Sequence, residues 1–487
     1  MNIKEAREEI VRTVRAYTKK DEKGELEIPV LHQRPVFLVG PPGIGKTAII
    51  EQAARICNVG VVSYTITHHT RQSAIGLPIV SHKSYGGKQY QITEYTMSEI
   101  IASLYNYMEE TGFKTGILFI DEINCVSETL APTMLQFLQY KTFGTHKVPD
   151  GWIIVAAGNP PEYNKSVKEF DIATLDRIRK IEIKEDFHVW KEYALSHGIC
   201  GSIISYLSIK NEHFYHIEND IENLSFVTAR GWEDLSKMIL TYKKLGFEIG
   251  RDLVAQFIND DEIAKDFTAY LELYDKYESD YQVKVILEEG ASEKLISRIQ
   301  KASFDERLSV VELLTYRLIK EAKSVRKNNQ LMRNVFSYLK SIKSQNLSVK
   351  ELEEALKKRK EILKEESYTP FYDWMEAKVF LLKKKDTKEV FQELKQEFET
   401  LKQEDDKNIH RMQEFLNRAF DFIKKGIGNG QEMVIFISDL GNNEDSVWYL
   451  SSYGNEDFFE YSKQFQFKER ERKLQSEILK LQQTFMQ

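Results

Sequence analysis

Cysteine is scarce. The 487 residues include three, Cys57, Cys125 and Cys200, too far apart for a disulfide framework and without the spacing of metal ligands. A reducing compartment, the cytoplasm, is expected. No apolar run approaches the roughly 18 residues of a membrane span, and the runs present are short ones such as Gly116 to Ile120. Met1 to Lys20 scatters Glu, Arg and Lys among its apolar positions, so it lacks the apolar core of a signal peptide. Both absences predict a soluble protein with no membrane insertion. Excess positive charge is missing too: 68 basic against 75 acidic residues give a net charge of -7, so nucleic acid is not favoured as a general partner. Proline is sparse in the C-terminal half, which offers no obvious linker, and no internal repeat is visible.

What is present is enough chain for roughly two to four domains. From about residue 30 to 185, short apolar runs alternate with helical patterns, the form of a parallel sheet with crossover helices. Val36 to Val39, Val59 to Thr65, Gly116 to Ile120 and Trp152 to Ala157 read as buried strands. Ile79 to Tyr95 flanks the turn signal Ser84-Tyr85-Gly86-Gly87-Lys88 and reads as an inserted β-hairpin. After about residue 186 the pattern becomes helical almost to the end. Phe391, Leu394, Phe398 and Leu401 share one helix face, as do Leu474, Ile478, Leu481 and Phe485, and both stripes are expected to pack within the chain. Met433 to Leu440 would suit a strand but stands isolated among helices, and is read as a buried helix.

Gly40-Pro41-Pro42-Gly43-Ile44-Gly45-Lys46-Thr47 follows the run Val36 to Val39 and precedes a helical pattern that opens at Ala48. It satisfies G-x-x-x-x-G-K-[ST] in the required strand, loop and helix context. Small residues let backbone N–H groups wrap a β-phosphate, and the helix N-terminus adds partial positive charge. Lys46 should reach the β- and γ-phosphates, and Thr47 should place its hydroxyl on a magnesium ion. Residues Gly40 to Ala48 are therefore the candidate ATP contacts.

ATP hydrolysis also needs an acid on the metal and a carboxylate that polarises water. The strand Ile117 to Ile120 ends in Asp121 and Glu122: Asp121 would hold Mg2+ and Glu122 would activate water. The next strand ends in Gly158-Asn159-Pro160-Pro161. In a parallel sheet this places Asn159 near the attacking water or the γ-phosphate, although an Asn before Pro is also a common turn element.

In this order the three segments resemble the Walker A, Walker B and sensor 1 motifs of AAA+ ATPases, most of all the MoxR family. Further similarity lies in His68 to Pro78, in Thr174-Leu175-Asp176-Arg177-Ile178, and in Thr228-Ala229-Arg230-Gly231-Trp232-Glu233-Asp234-Leu235. The resemblance covers roughly residues 5 to 260. It implies an α/β AAA+ P-loop core over 1–186, a helical lid over 187–260 and a mainly helical C-terminal extension over 261–487. Carried over by motif, it makes Asn159 sensor 1, Arg177 an arginine finger acting on a neighbour's nucleotide, and Arg230 sensor 2. It further implies a ring, usually a hexamer, with the hairpin as the helix-2 insert of that clade, and a partner bearing a von Willebrand factor A domain. Arg177 and Arg230 could otherwise be ordinary surface or ion-paired arginines.

Other candidates are weaker. Adjacent His68 and His69 point in different directions and lack a third ligand nearby. Cys125 is expected to be a packed thiol, and the basic stretches Lys357 to Lys360 and Lys383 to Lys385 to be solvated helix faces. The expected function is a chaperone-like ATPase that remodels or matures a client protein. The alternative is an AAA+ nucleic-acid motor; a nucleotide switch or small-molecule kinase fits less well, since Glu122 and the two arginines favour hydrolysis and no guanine-reading motif is present.

Overall fold

A computed structural model describes residues 1–68, 76–127, 129–143, 146–163, 167, 170–219, 224–345, 373–375 and 387–465. They divide into two compact units. The first comprises Met1–Trp190, Glu212–Leu235 and Ala255–Asp261. In chain order its strands are β1 (Val36–Val39), β2 (Gly60–Thr65), β3 (Pro78–Tyr85), β4 (Lys88–Tyr95), β5 (Gly116–Asp121), β6 (Thr142–Phe143), β7 (His146–Lys147), β8 (Trp152–Gly158), β9 (Arg179–Glu182), β10 (His216–Asn219) and β11 (Leu224–Val227). Five of them form one parallel sheet in the order β2-β5-β8-β1-β9. Its helices include α1 (Ile3–Thr18), α2 (Lys46–Cys57), α3 (Glu99–Thr111), α4 (Ala131–Tyr140) and the short α5 (Ile172–Leu175).

The central strands read as unbroken apolar runs because helices cover both faces of a parallel sheet. Alternate residues serve opposite layers. Phe37, Leu118, Ile120, Ile154 and Ala156 pack with Ile100 and Leu104 of α3 and Phe137 of α4. Val36, Leu38, Ile117, Phe119, Ile153 and Val155 pack with Ile10 and Val14 of α1 and Ile49 and Ala53 of α2. Each Val, Leu, Ile or Phe side chain among them contributes about 1.5–3 kcal/mol on full burial, so this double layer fixes where the strand ends lie. At the start of α1, Asn2 Oδ1 accepts from Glu5 N at 2.9 Å while Asn2 N donates to Glu5 Oε2 at 3.0 Å, a reciprocal cap.

The expected hairpin is β3 and β4, turning at Gly86-Gly87. Its neck is one residue pair wide: Thr96 N donates to Leu77 O at 2.9 Å and Leu77 N to Thr96 Oγ1 at 2.8 Å. Three strand features went unread: the two-residue pair β6 and β7, edge strand β9, and the pair β10 and β11. Edge strand β9, Arg-Lys-Ile-Glu, carries the charges that suit a sheet edge and not a buried run. Arg179 bonds from there to α1, with Nη2 2.5 Å from Glu9 Oε1 and Nη1 2.9 Å from Thr13 Oγ1. Within the interval 187–260, expected as a helical lid, lie β10 and β11, an antiparallel pair running from His216 opposite Val227 to Asn219 opposite Leu224. Four residues a side are too few to show a period.

The second unit, Lys191–Asn211, Ser236–Val254 and Glu262–Gln487, is helical where described. The interval 187–260, expected as a lid, contributes to both units. Two long helices, Phe304–Gln345 and Thr387–Gly426, run antiparallel, joined by Asn329 to Asp405 and by the rings of Phe336 and Phe398, 5.8 Å apart. Leu394 is buried on the same face, so Leu394 and Phe398 of this stripe pack within the chain. Met433 to Leu440 lies in the helix Gln431–Asn442 with Met433, Phe436, Ile437 and Leu440 buried, as read. The stripe from Leu474 to Phe485 and the basic stretches Lys357 to Lys360 and Lys383 to Lys385 lie outside the described residues. No described helix is long and apolar enough to cross a membrane.

Candidate nucleotide site

Because β1, β2, β5 and β8 are parallel neighbours, their carboxyl ends meet at one edge of the sheet. β1 delivers the loop Gly40 to Gly45 and β5 delivers Asp121 and Glu122. β8 delivers Asn159, and β2 is followed by Thr67. α2 begins at Lys46 from Gly45 in the left-handed region, φ 94°, and no side chain caps it, so its first N–H donors are left for an anion. Thr47 and Ala48 are exposed on that first turn, and Ile44 packs against the layer formed by α1 and α2.

Lys46 is buried and its Nζ donates to Gly40 O, Pro41 O and Asn159 Oδ1, each at 2.8 Å. Burial pushes its ammonium down to about 8. Asp121 and Glu122 oppose that shift, and the Arg230 guanidinium adds to it. Thr47 Oγ1 lies 3.4 Å from Asp121 Oδ2, so a hydroxyl and a carboxylate, both hard oxygen donors, face one point. That pair, beside an uncapped helix start, fits Mg2+ with a phosphate group.

Glu122 departs from Asp121 by a backbone turn into the left-handed region, φ 56°. Its N–H donates to Asp121 Oδ1 at 2.9 Å, and its Oε2 accepts from Thr67 Oγ1 at 3.1 Å. The two adjacent carboxylates are thereby aimed at different partners. Asn124 Nδ2 donates to Asn159 O at 2.7 Å. The amide of Asn124 lies so close to Gly158 that a Cβ there would stand 2.2 Å from its Oδ1. Glycine at 158 is thus the condition for this contact. Thr67 is not legible in the sequence as a site-shaping residue, since a lone Thr carries no periodic signal, and Asn124, although it closes the segment Leu118 to Asn124, has no role assigned by that segment alone.

Arg230 is brought to the loop by backbone: its N–H donates to Gly43 O at 3.2 Å. Gly43 has φ 74°, and a Cβ there would meet Thr228 Cβ and Oγ1 at 3.0 Å, so both conformation and space require glycine. Arg177 is not brought to the loop. It is exposed in the turn after α5, beside Ile172 and Leu175, which are 86% and 37% exposed. His69 lies outside the described residues, among which no cluster that could hold a metal through His, Cys, Asp and Glu occurs. Cys125 is half-buried, its thiol pushed up by burial and then by Glu122 and Asp121, which fits a packed thiol and not a reactive one.

No curated protein matches this chain. A family model, the AAA domain of the dynein-related subfamily, matches residues 35–178. This span holds the loop, both carboxylates, Asn159 and Arg177, and four of the five sheet strands lie wholly within it. By this similarity and by its parallel sheet, the segment 35–178 is an AAA+ ATPase domain.

Proposed function

We propose that the chain is a MoxR-type AAA+ ATPase that hydrolyses Mg-ATP at the loop Gly40 to Thr47 to remodel or mature a client protein. The observation that carries the ATP site is the convergence of Lys46, Asp121, Glu122 and Asn159 at one sheet edge, with Lys46 bonded to Asn159 at 2.8 Å. Backbone N–H groups of the loop and α2 would hold the phosphates, with Lys46 compensating their charge. Thr47 and Asp121 would hold Mg2+, which when bound supplies charge neutralisation at the phosphate oxygens. Glu122, steered by Thr67, would take the proton of the attacking water, and Asn159, braced by Asn124, would orient that water. Arg230 would act as sensor 2.

The same reading assigns Arg177 to the nucleotide of a neighbouring subunit in a ring, expected to be hexameric, and a von Willebrand factor A domain protein as partner. Its exposure beside exposed Ile172 and Leu175 supports a contact surface. The test is a pair of variants. Lys46→Ala should lose ATP binding; Glu122→Gln should bind ATP and turn it over about 100- to 10,000-fold more slowly. Unchanged ATP affinity in the first, or normal turnover in the second, removes that residue from the site. Affinity capture with ATP-loaded Glu122→Gln should retain the client.

A further inference from the structure

We propose that Tyr215, outside every nucleotide motif of this chain, is a positioning residue that fixes the phosphate-binding amides of the loop; this rests on the ATP site proposed above. Its hydroxyl donates to Pro42 O at 2.9 Å. The next carbonyl along, Gly43 O, accepts from Arg230 N at 3.2 Å. A trans peptide is planar, and its C=O and N–H point in opposite directions. Holding the Pro42 carbonyl toward Tyr215 therefore turns the Gly43 N–H away from it, and holding the Gly43 carbonyl toward Arg230 does the same for the Ile44 N–H. Two successive donors are thus aimed to the side away from this strap, the arrangement an anion nest needs.

The strap is itself held in place. Trp232, fully buried, donates from Nε1 to His213 O and Phe214 O, both at 3.2 Å, which fixes the backbone just before Tyr215. The Phe214 ring packs on Trp190 at 5.1 Å and on Phe187 at 5.7 Å. Thr228 lies so close to Gly43 that a Cβ there would stand 3.0 Å from it, and its Oγ1 accepts from Gly231 N at 3.2 Å. Burial pushes the Tyr215 phenol well above its ordinary range, with Tyr163 and Glu185 adding to the shift, so the group remains a donor at every working pH.

Without such a strap, the Pro42 carbonyl is free to rotate its peptide plane, and the Gly43 N–H rotates with it. The loss falls on phosphate recognition and leaves the adenine end of the ligand alone. In the full chain, Tyr215→Phe keeps the ring and removes only the donor. Its affinity for ADP and for inorganic pyrophosphate should fall together, by about tenfold, with AMP affinity and thermal midpoint unchanged. Retained ADP affinity overturns the proposal, and so does an equal loss for AMP, which would mark a general structural defect. Lys46→Ala in parallel separates the two levels. If it loses ADP while Tyr215→Phe keeps it, only the role of Tyr215 falls; if Lys46→Ala also binds ADP normally, the site reading falls with it.

Discussion

Lys46 sits at the centre of the site with an ammonium that burial has brought down to about 8, within reach of ordinary buffers. Phosphate beside it would raise that value again, so binding above pH 8 must take up a proton. ADP affinity should be flat up to about pH 7 and fall several-fold by about pH 9. Calorimetry in two buffers of different ionisation enthalpy would read the proton uptake directly, and an affinity independent of pH would refute it. At this scale the sequence was informative where chemistry is tied to fixed spacing: Gly40 to Thr47, the pair Asp121 and Glu122, and Asn159 after an apolar strand. It was silent on Thr67 and Tyr215, and it placed Asn124 at the end of a motif without giving it a role. Those residues act through distance in space, over 55, 35 and 173 positions of chain, and no local pattern encodes that. The left-handed backbone at Glu122 was equally unreadable, since the strain of a non-glycine residue there, about 1 kcal/mol, is imposed by the surrounding fold.

Among the elements, the central strands were legible because a sheet covered on both faces demands continuous apolar runs. Edge strand β9 was not, because its charged residues resemble a loop, and the pair β10 and β11 was not, because four residues a side show no period. The second unit holds an element-level feature with its own consequence. Lys191, in the helix Phe187–His197, donates at 2.6 Å to Glu312 of the helix Phe304–Gln345 and at 2.8 Å to Asp439 of the helix Gln431–Asn442. One buried cation thus answers two buried carboxylates and joins three helices. Lys191→Met should destabilise this unit by about 3–5 kcal/mol, since both carboxylates lose their counter-charge. Asp439→Asn should be mild, because it leaves a balanced pair. Burial first, then Glu312, holds the Asp439 carboxyl above its ordinary range. The folded state therefore binds that proton more tightly than the unfolded one, and stability declines as pH rises from the usual aspartate range toward neutrality. Lys191, raised by both carboxylates against its burial, stays charged throughout that window. Thermal midpoints at about pH 5 and pH 8 should show this decline in the parent chain and not in Asp439→Asn; equal slopes would argue against it.

For the molecule as a whole, the proposed reaction needs a charge beside the transferred phosphate, and Arg177 is exposed and makes no bond to the chain's own loop among the described residues. A guanidinium supplied in trans is worth about a thousandfold or more in rate. Arg177→Ala should therefore be nearly inactive alone yet regain activity when mixed with Lys46→Ala, because hybrid interfaces pair an intact loop with an intact finger. No recovery at any mixing ratio would sink the arrangement in trans. The hairpin β3 and β4 stands apart from this machinery. Closed at its neck by the bonds between Leu77 and Thr96, it leaves and re-enters the core at neighbouring points, so the frame does not register how long it is or what it carries. It has the properties of an interchangeable cartridge, one that could be lengthened, shortened or rewritten while the strands that gather the ATP residues stay where they are.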